Sequence, residues 1–392
     1  MMICILLLLL AAFLYGTYRL DEWLTDNQIL AVSMESGFYT EDISVSVRPK
    51  KRGTVYYTED GSEPDKEDRD STKCYEEPLE LRAGGREQVK VYRFRVYYPD
   101  GTSSKVVTNT YYMGKEITSR YDTLVMNVST DPDNLYRYED GIFIEGKIRD
   151  DYLADHPDEE VDFDTPANFN QRGRESERPA HLEVFEPDGT RVVTQDVGIR
   201  TSGGATRTSE QKSFKIYGRY EYSADNKLKY AFLLDEKQKD TNTVVDRFEC
   251  LKIRNTGNDR LEAFIRDELG MRLAEQAGLQ DIQYVRPVSV YFNGIYNGLY
   301  WIHSVYDDSY FKERYGNYDG EMVVLGQQEG NMSTDSTKEI ENQYAEAYNE
   351  WYNEIHDLDL TVPENYAKVE STIDVDNYLQ YMAAEIYMAN QD

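Results

Sequence analysis

The stretch Gln195–Gly218, QDVGIRTSGGATRTSEQKSFKIYG, limits the fold of this chain more than any other. Arg191–Arg200 reads as a strand, Gly203-Gly204 must turn, and Phe214-Lys215-Ile216-Tyr217 alternates with period 2. The glycines therefore join two strands. A Walker-type phosphate loop needs a helix straight after its GK[ST] ending, and here Lys212-Ser213 leads into a strand. That class of nucleotide site is excluded. Two readings stay open: an ordinary hairpin turn, or a Gly-rich hairpin lying over phosphates with a Lys on a neighbouring strand.

The flanks extend the pattern. His181–Phe185 (HLEVF) is a strand, and Pro187-Asp188-Gly189 turns the chain into the next one. Asn258 or Asp259 can cap a helix from about Leu261 to Ala277, with Leu261, Phe264, Ile265, Leu269 and Leu273 as its apolar face and Gly278 as its stop. Val288–Phe292, Asn293-Gly294 and Ile295–Ile302 form a hairpin. Asp374 can cap a last helix with Val375, Tyr378, Leu379, Met382 and Ile386 on one face. Asp150–Arg178, with the acidic run Asp155–Asp164, is expected to be a long solvated loop.

Upstream, Ser44–Val47, Thr54–Thr58, Val89–Tyr98 and Val106–Tyr112 alternate like strands, separated by Asp60-Gly61, Gly84-Gly85 and Pro99-Asp100-Gly101. Short strands with such turns point to a small β-sandwich over 26–113. It is expected to be self-contained, with no contact that the second domain, 114–392, requires. Residues 1–25 carry the apolar run Met2–Thr17. This reads as a membrane anchor with the rest outside, a cleaved signal peptide being the alternative.

The formal charge is −30. No basic face is on offer to neutralise phosphodiesters, so nucleic-acid binding is excluded. Such a surface repels anionic lipid and suits basic partners. The three cysteines form no CxxC and are spread over Cys4, Cys74 and Cys250, so neither a disulfide framework nor structural zinc is expected.

Together these segments resemble the CotH family, the atypical secretory kinases named for a spore-coat protein. STDPDNLYRYEDGIFIEGK, NFNQRGRESERPAHLEVFEPDGT, QDVGIRTSGGATRTSEQKSFKIYGR, LKIRNTGNDR and VSVYFNGIYNGLY carry the likeness, over roughly Tyr121–Asp392. YYTEDGSEP and its neighbours resemble the chitobiase/hexosaminidase C-terminal-type module, a fibronectin-like appendage. The implied fold class is α+β: an apolar anchor, a small sandwich, then a kinase-like domain cut short in its C-lobe.

The resemblance implies ATP- and Mg²⁺-dependent phosphoryl transfer to Ser of a secreted, surface or spore-coat protein, one that is basic or Ser-rich. Gly203 and Gly204 would lie over the phosphates, and Lys212 would pair with them, with Lys215 as its rival on the opposite side of the strand. Arg200 would assist, or would only pair with a carboxylate. Asn390-Gln391-Asp392 resembles the start of the family's catalytic loop, with Asp392 acting on the substrate hydroxyl or helping to hold metal. The family's further metal-binding Asp has no counterpart up to residue 392, so metal ligands are unknown and this chain alone is expected to transfer phosphate poorly. Ser304 stands where many members carry Glu. The alternative is a non-catalytic surface protein, binding glycan or cell wall through the sandwich and using the kinase-like domain as a scaffold.

Overall fold

The computed structural model describes residues 29–316, 324–328, 331–333 and 339–390. Two compact units emerge. The first holds the chain up to Tyr230, with Glu249–Gly257 and Arg286–Ile302. The second holds Ala231–Phe248, Asn258–Val285 and the chain from His303 onward. The fold is mixed α and β. The proposed anchor, residues 1–25, lies outside the described residues. Among those described, no helix is long and apolar enough to cross a membrane.

The first unit opens with the expected sandwich. Its strands are β1 (Leu30–Val32), β2 (Gly37–Tyr39), β3 (Ile43–Val45), β4 (Val47–Pro49), β5 (Thr54–Thr58), β6 (Lys73–Cys74), β7 (Leu79–Leu81), β8 (Gln88–Tyr97) and β9 (Val107–Met113). One sheet runs β2-β9-β8-β5-β6, and β1-β4 and β3-β7 form separate pairs. Val45, Val47, Val55, Leu81, Phe94, Val96 and Tyr111 fill the space between them. These are the alternating β-branched and aromatic positions of the sequence, each presenting one face inward.

After β9 the chain builds a closed barrel. Its strands are β10 (Leu124–Ser129), β11 (Arg178–Phe185), β12 (Arg191–Thr201) and β13 (Phe214–Tyr217). After the short strands β14 (Leu228–Lys229) and β15 (Arg247–Phe248) come β16 (Cys250–Arg254), β17 (Val285–Phe292) and β18 (Ile295–His303). The order around the barrel is β10-β11-β12-β13-β16-β18-β17. The predicted Asn293-Gly294 hairpin joins β17 to β18, with both residues at positive φ, as such a tight turn requires. Closure comes from β10 pairing parallel to β17, with Met126 opposite Val290 and Val128 opposite Phe292. The inward rows are apolar: Ile199, Ile216 and Leu251 lie side by side, and Phe214 packs 5.2 Å from Phe292.

The sandwich is not isolated from the barrel but packs against it. Tyr112 at the end of β9 packs with Ile117, Tyr121, Val125, Phe185 and Tyr291, and Phe38 of β2 joins the same cluster. The Tyr121 and Tyr291 hydroxyls share a 2.5 Å hydrogen bond. Asn127 of β10 donates to Thr110 Oγ1 of β9 at 3.1 Å. The Asn293 side chain occupies the space a Cβ on Gly61 would need.

Two short helices, α1 (Pro132–Tyr136) and α2 (Gly146–Asp155), leave β10. The segment expected to be a solvated loop therefore begins as helix. Its far end turns inward, with Asn168 and Phe169 buried.

The second unit is largely helical: α3 (Arg266–Gln276), α4 (Asp308–Tyr315), α5 (Glu339–Ile355), α6 (Pro363–Glu370) and α7 (Val375–Met388). Helix α3 starts later than the sequence suggests. A 3₁₀ turn over Gly257–Leu261 and Phe264 at φ 65° come first. The N-cap is Ile265, which makes no side-chain cap bond, and the expected cap Asp259 instead reaches the first turn from a distance, its Oδ2 accepting from Arg266 N–H at 2.9 Å. The predicted apolar face of this helix is not the buried one: Ile265, Leu269 and Leu273 are exposed, while Glu268 and Ala274 are buried. Asp374 caps α7 as expected, accepting from Asn377 N–H at 3.0 Å.

Candidate functional site

Strands β12 and β13 hold the Gly-Gly loop. Gly203 has φ 113°, a left-handed conformation, and a Cβ there would lie 2.6 Å from Thr206 Oγ1. Gly204 is different. A Cβ at that position would meet nothing within 4 Å, so protein packing does not demand glycine there. Its open side faces space that a ligand can approach.

Beneath the loop lies a layer of buried cations. Arg207, 5 % exposed, donates from Nε to Gly203 O at 2.6 Å and from Nη1 to Phe169 O at 2.9 Å. Lys212, equally buried, donates from Nζ to Arg207 O at 2.7 Å and Ser209 O at 3.1 Å, and sits 4.4 Å from the Phe169 ring centre. Burial pulls the Lys212 ammonium down to about 8, with the Glu145 charge opposing. Burial also pulls Arg207 down to about 10, and the charges of Arg172 and Arg200 push the same way. Positive charge is thus crowded around this loop in a chain whose net charge is −30.

Arg200 points elsewhere. Its Nη2 donates to Tyr217 Oη at 2.6 Å, and its guanidinium lies 5.2 Å from that ring. No carboxylate partner for it is among the recorded ion pairs of the described residues. Glu177, the nearby acid, binds Arg219 at 2.9 Å instead. Arg200 is paired in register with Lys215, and Lys215 with Lys252 on β16. Directly opposed residues in neighbouring strands share a face, so three cations form one row across β12, β13 and β16. The neighbouring rows, Ile199-Ile216-Leu251 and Thr201-Phe214-Ile253, are buried, which puts the cation row on the outer face of the barrel.

The loop exit is fastened by Asn255, fully buried just after β16. Ser213 Oγ donates to Asn255 Oδ1 at 2.8 Å, and Asn255 Nδ2 donates to Gln211 O at 2.5 Å. Gly257 N–H reaches the same Oδ1 at 3.1 Å. These bonds account for the RNTG core of LKIRNTGNDR.

The structure therefore gathers Gly203, Gly204, Arg200 and Lys212 around one loop, with Lys212 below it and Arg200 on the outer face. Lys215 lies in the row with Arg200. Asp392 lies outside the described residues, and Asn390 Nδ2 donates to Glu385 Oε2 at 2.5 Å. Among the described residues no group of three or more His, Cys, Asp or Glu is placed to hold a metal ion. Sequence reading missed Phe169, Arg207, Asn255 and Lys252. Of these, Lys252 could have been found by pairing the alternating runs FKIY and LKIR.

Comparison with known proteins covers the same stretch of chain. A family model described as CotH kinase protein matches residues 199–392, beginning inside β12 and including the loop, the cation row and α3. A second, described as Fn3 associated, matches residues 45–111 of the sandwich. No curated protein matches the chain. Residues 199–392 are thus similar to the CotH kinase family, and residues 45–111 upstream of them to Fn3-associated modules.

Proposed function

We propose that this protein is an extracytoplasmic kinase that transfers the ATP γ-phosphate to a Ser hydroxyl of a secreted, surface or spore-coat protein. The crowding of cations at the Gly203-Gly204 loop carries this reading: Arg207 Nε donates to Gly203 O at 2.6 Å, Lys212 Nζ donates to Arg207 O at 2.7 Å, and Arg200 lies at the end of β12, a concentration of positive charge that suits a polyphosphate. The family match supports the same chemistry.

In this reading each residue has a task. Gly204 lets backbone N–H groups approach phosphate oxygens with no Cβ in between. Arg200, Lys215 and Lys252 present charge-assisted donors from one face of the sheet. Phosphoryl transfer needs such fixed charge, because negative charge spreads over the equatorial oxygens in the transition state. Lys212 and Arg207 hold the loop from beneath and set its shape. Mg²⁺ would neutralise charge on the phosphates; no metal-holding group occurs among the described residues, and Asp392 is the residue the resemblance offers as a ligand. Asp392 is the proposed acceptor of the substrate hydroxyl proton.

The test is ATP titration of the full chain and of Gly204→Val. Since a Cβ at 204 meets no protein atom within 4 Å, the variant adds no clash at that atom and should lose ATP affinity roughly tenfold or more, with its melting temperature read alongside. Unchanged affinity would reject the loop as the phosphate site. Arg200→Gln and Lys252→Gln should weaken ATP as well.

A further inference from the structure

We infer that the second unit carries a separate binding pocket for a phosphomonoester anion, apart from the Gly-Gly loop and independent of the kinase reading. A pocket of about 480 Å³ is walled by Asp235, Lys237, Gln238, Lys239, Asn242, Arg272, Glu275, Tyr284 and Arg314. Its rim is a small hairpin: Lys237 bridges to Val244, Gln238 N–H donates to Thr243 O at 2.8 Å, and Asn242 turns the chain at φ 56°. Helix α3 supplies Arg272 and Glu275, α4 supplies Arg314, and Asp235 and Tyr284 come from the segments before the hairpin and before β17.

Charge is unevenly matched there. Both lining carboxylates are drawn to one cation: Arg272 lies 2.7 Å from Asp235 and 3.3 Å from Glu275. That leaves Lys237, Lys239 and Arg314 facing the pocket without a carboxylate of its lining. Lys239 Nζ donates to a neutral group, Gln280 Oε1, at 3.2 Å, and lies 5.8 Å from the Tyr315 ring centre. Burial lowers its basicity, the Arg314 charge lowers it further, and the Asp281 charge opposes both by favouring its protonated form.

Arg314 is the second observation. Its side chain is 3 % exposed. Nη2 donates to Gln280 O and to Tyr284 Oη, and Asp281 Oδ1 is 3.3 Å from Nε. Nη1 is buried with no hydrogen-bond partner among the described residues. A buried guanidinium N–H left without an acceptor costs free energy that an anion in the pocket would recover.

The chemistry of the walls selects the ligand. Tyr284 is the single aromatic lining residue, and the Arg314 guanidinium already lies 4.8 Å from its ring centre, so a nucleobase has a poor stacking platform. A carboxylate is monoanionic, whereas a phosphomonoester near neutral pH carries close to two charges and three acceptor oxygens. Three cations in the lining besides the carboxylate-bound Arg272 suit the latter. The pocket is large enough to take a phosphorylated side chain as well as free phosphate.

The test uses the full chain, with inorganic phosphate, a phosphoserine peptide and acetate as probes at matched ionic strength. Binding is read by calorimetry and by ³¹P line broadening. Phosphate and phosphoserine should bind and acetate should not. The pair Lys237→Gln with Lys239→Gln should weaken binding roughly tenfold or more. The control pair Lys50→Gln with Lys51→Gln, and the loop-row pair Lys215→Gln with Lys252→Gln, should leave it unchanged. Tighter binding of the peptide than of free phosphate assigns the ligand to a modified protein; the reverse assigns it to the free anion. Loss of binding in the loop-row pair alone, equal loss in the control pair, or no binding by the parent chain would overturn the pocket.

Discussion

The Lys212 ammonium donates to the Arg207 carbonyl at 2.7 Å, so the lysine expected at the phosphates holds the floor of their loop. Two carbonyls lose their donor if it is removed. Lys212→Ala should therefore cost about 2 kcal/mol of stability, whereas Lys215→Ala, partly exposed on β13, should cost little. Thermal denaturation of the two variants checks this. Equal melting temperatures would mean that the buried contacts contribute nothing net.

Asn255 offers a second test. Its side chain ties the 211–213 segment to the turn after β16, and it is fully buried. Asn255→Ala should lower stability by roughly 2–3 kcal/mol. Asn255→Asp should not rescue it, because a carboxylate has no N–H for Gln211 O. Urea denaturation of both variants is the measurement.

The docking of the sandwich can be tested at one glycine. Gly61 sits at φ 94°, with the Asn293 side chain where its Cβ would be. Gly61→Ala should destabilise the first unit by about 1–3 kcal/mol. The variant should also show faster proteolysis between the sandwich and the barrel. Deleting 26–113 outright should expose Phe185 and Tyr291 and lead to association, visible by light scattering.

A fourth prediction concerns pH. Burial lifts the Glu236 carboxyl to about 7; the Arg314 charge opposes this and Asp307 adds to it. The folded chain therefore holds a proton that the unfolded chain releases near 4.5. Stability from this group is fully present below that value and falls as pH rises towards 7, by on the order of 2–3 kcal/mol in all. Glu236→Gln should remove that slope. Comparing the two proteins by urea melts from pH 5 to pH 8 isolates it from the other carboxylates.

Much of the barrel was legible because its strands carry strong local signals. The period-2 runs FKIY and LKIR, the Asn-Gly turn and the Asp374 cap each decide their own segment by backbone chemistry. Contacts between distant segments were not legible. Nothing in NFNQRGR says that Phe169 will lie under Lys212. Burial of Glu268 in place of Leu269 is set by what α3 packs against, which overrides helical periodicity. At the candidate site the glycines and cations could be named from residue type. Which cation faces outward depended on strand register, and Lys212 lies just before the strand, where alternation no longer applies.

The parallel pairing of β10 with β17 has a consequence for how the chain is made. Tyr121 and Tyr291, bonded across that seam, are 170 residues apart. A ribosome releases β10, β11, β12 and β13 long before the strand that closes the ring. Until Val285–Phe292 emerges, β10 has a bare edge, and such an edge readily pairs with the wrong chain. The sandwich is finished first and already covers one flank of β10 through Tyr112 and Thr110. It therefore shields the nascent barrel during synthesis, and a chain made without it should reach the folded state in lower yield even where its final stability is unchanged.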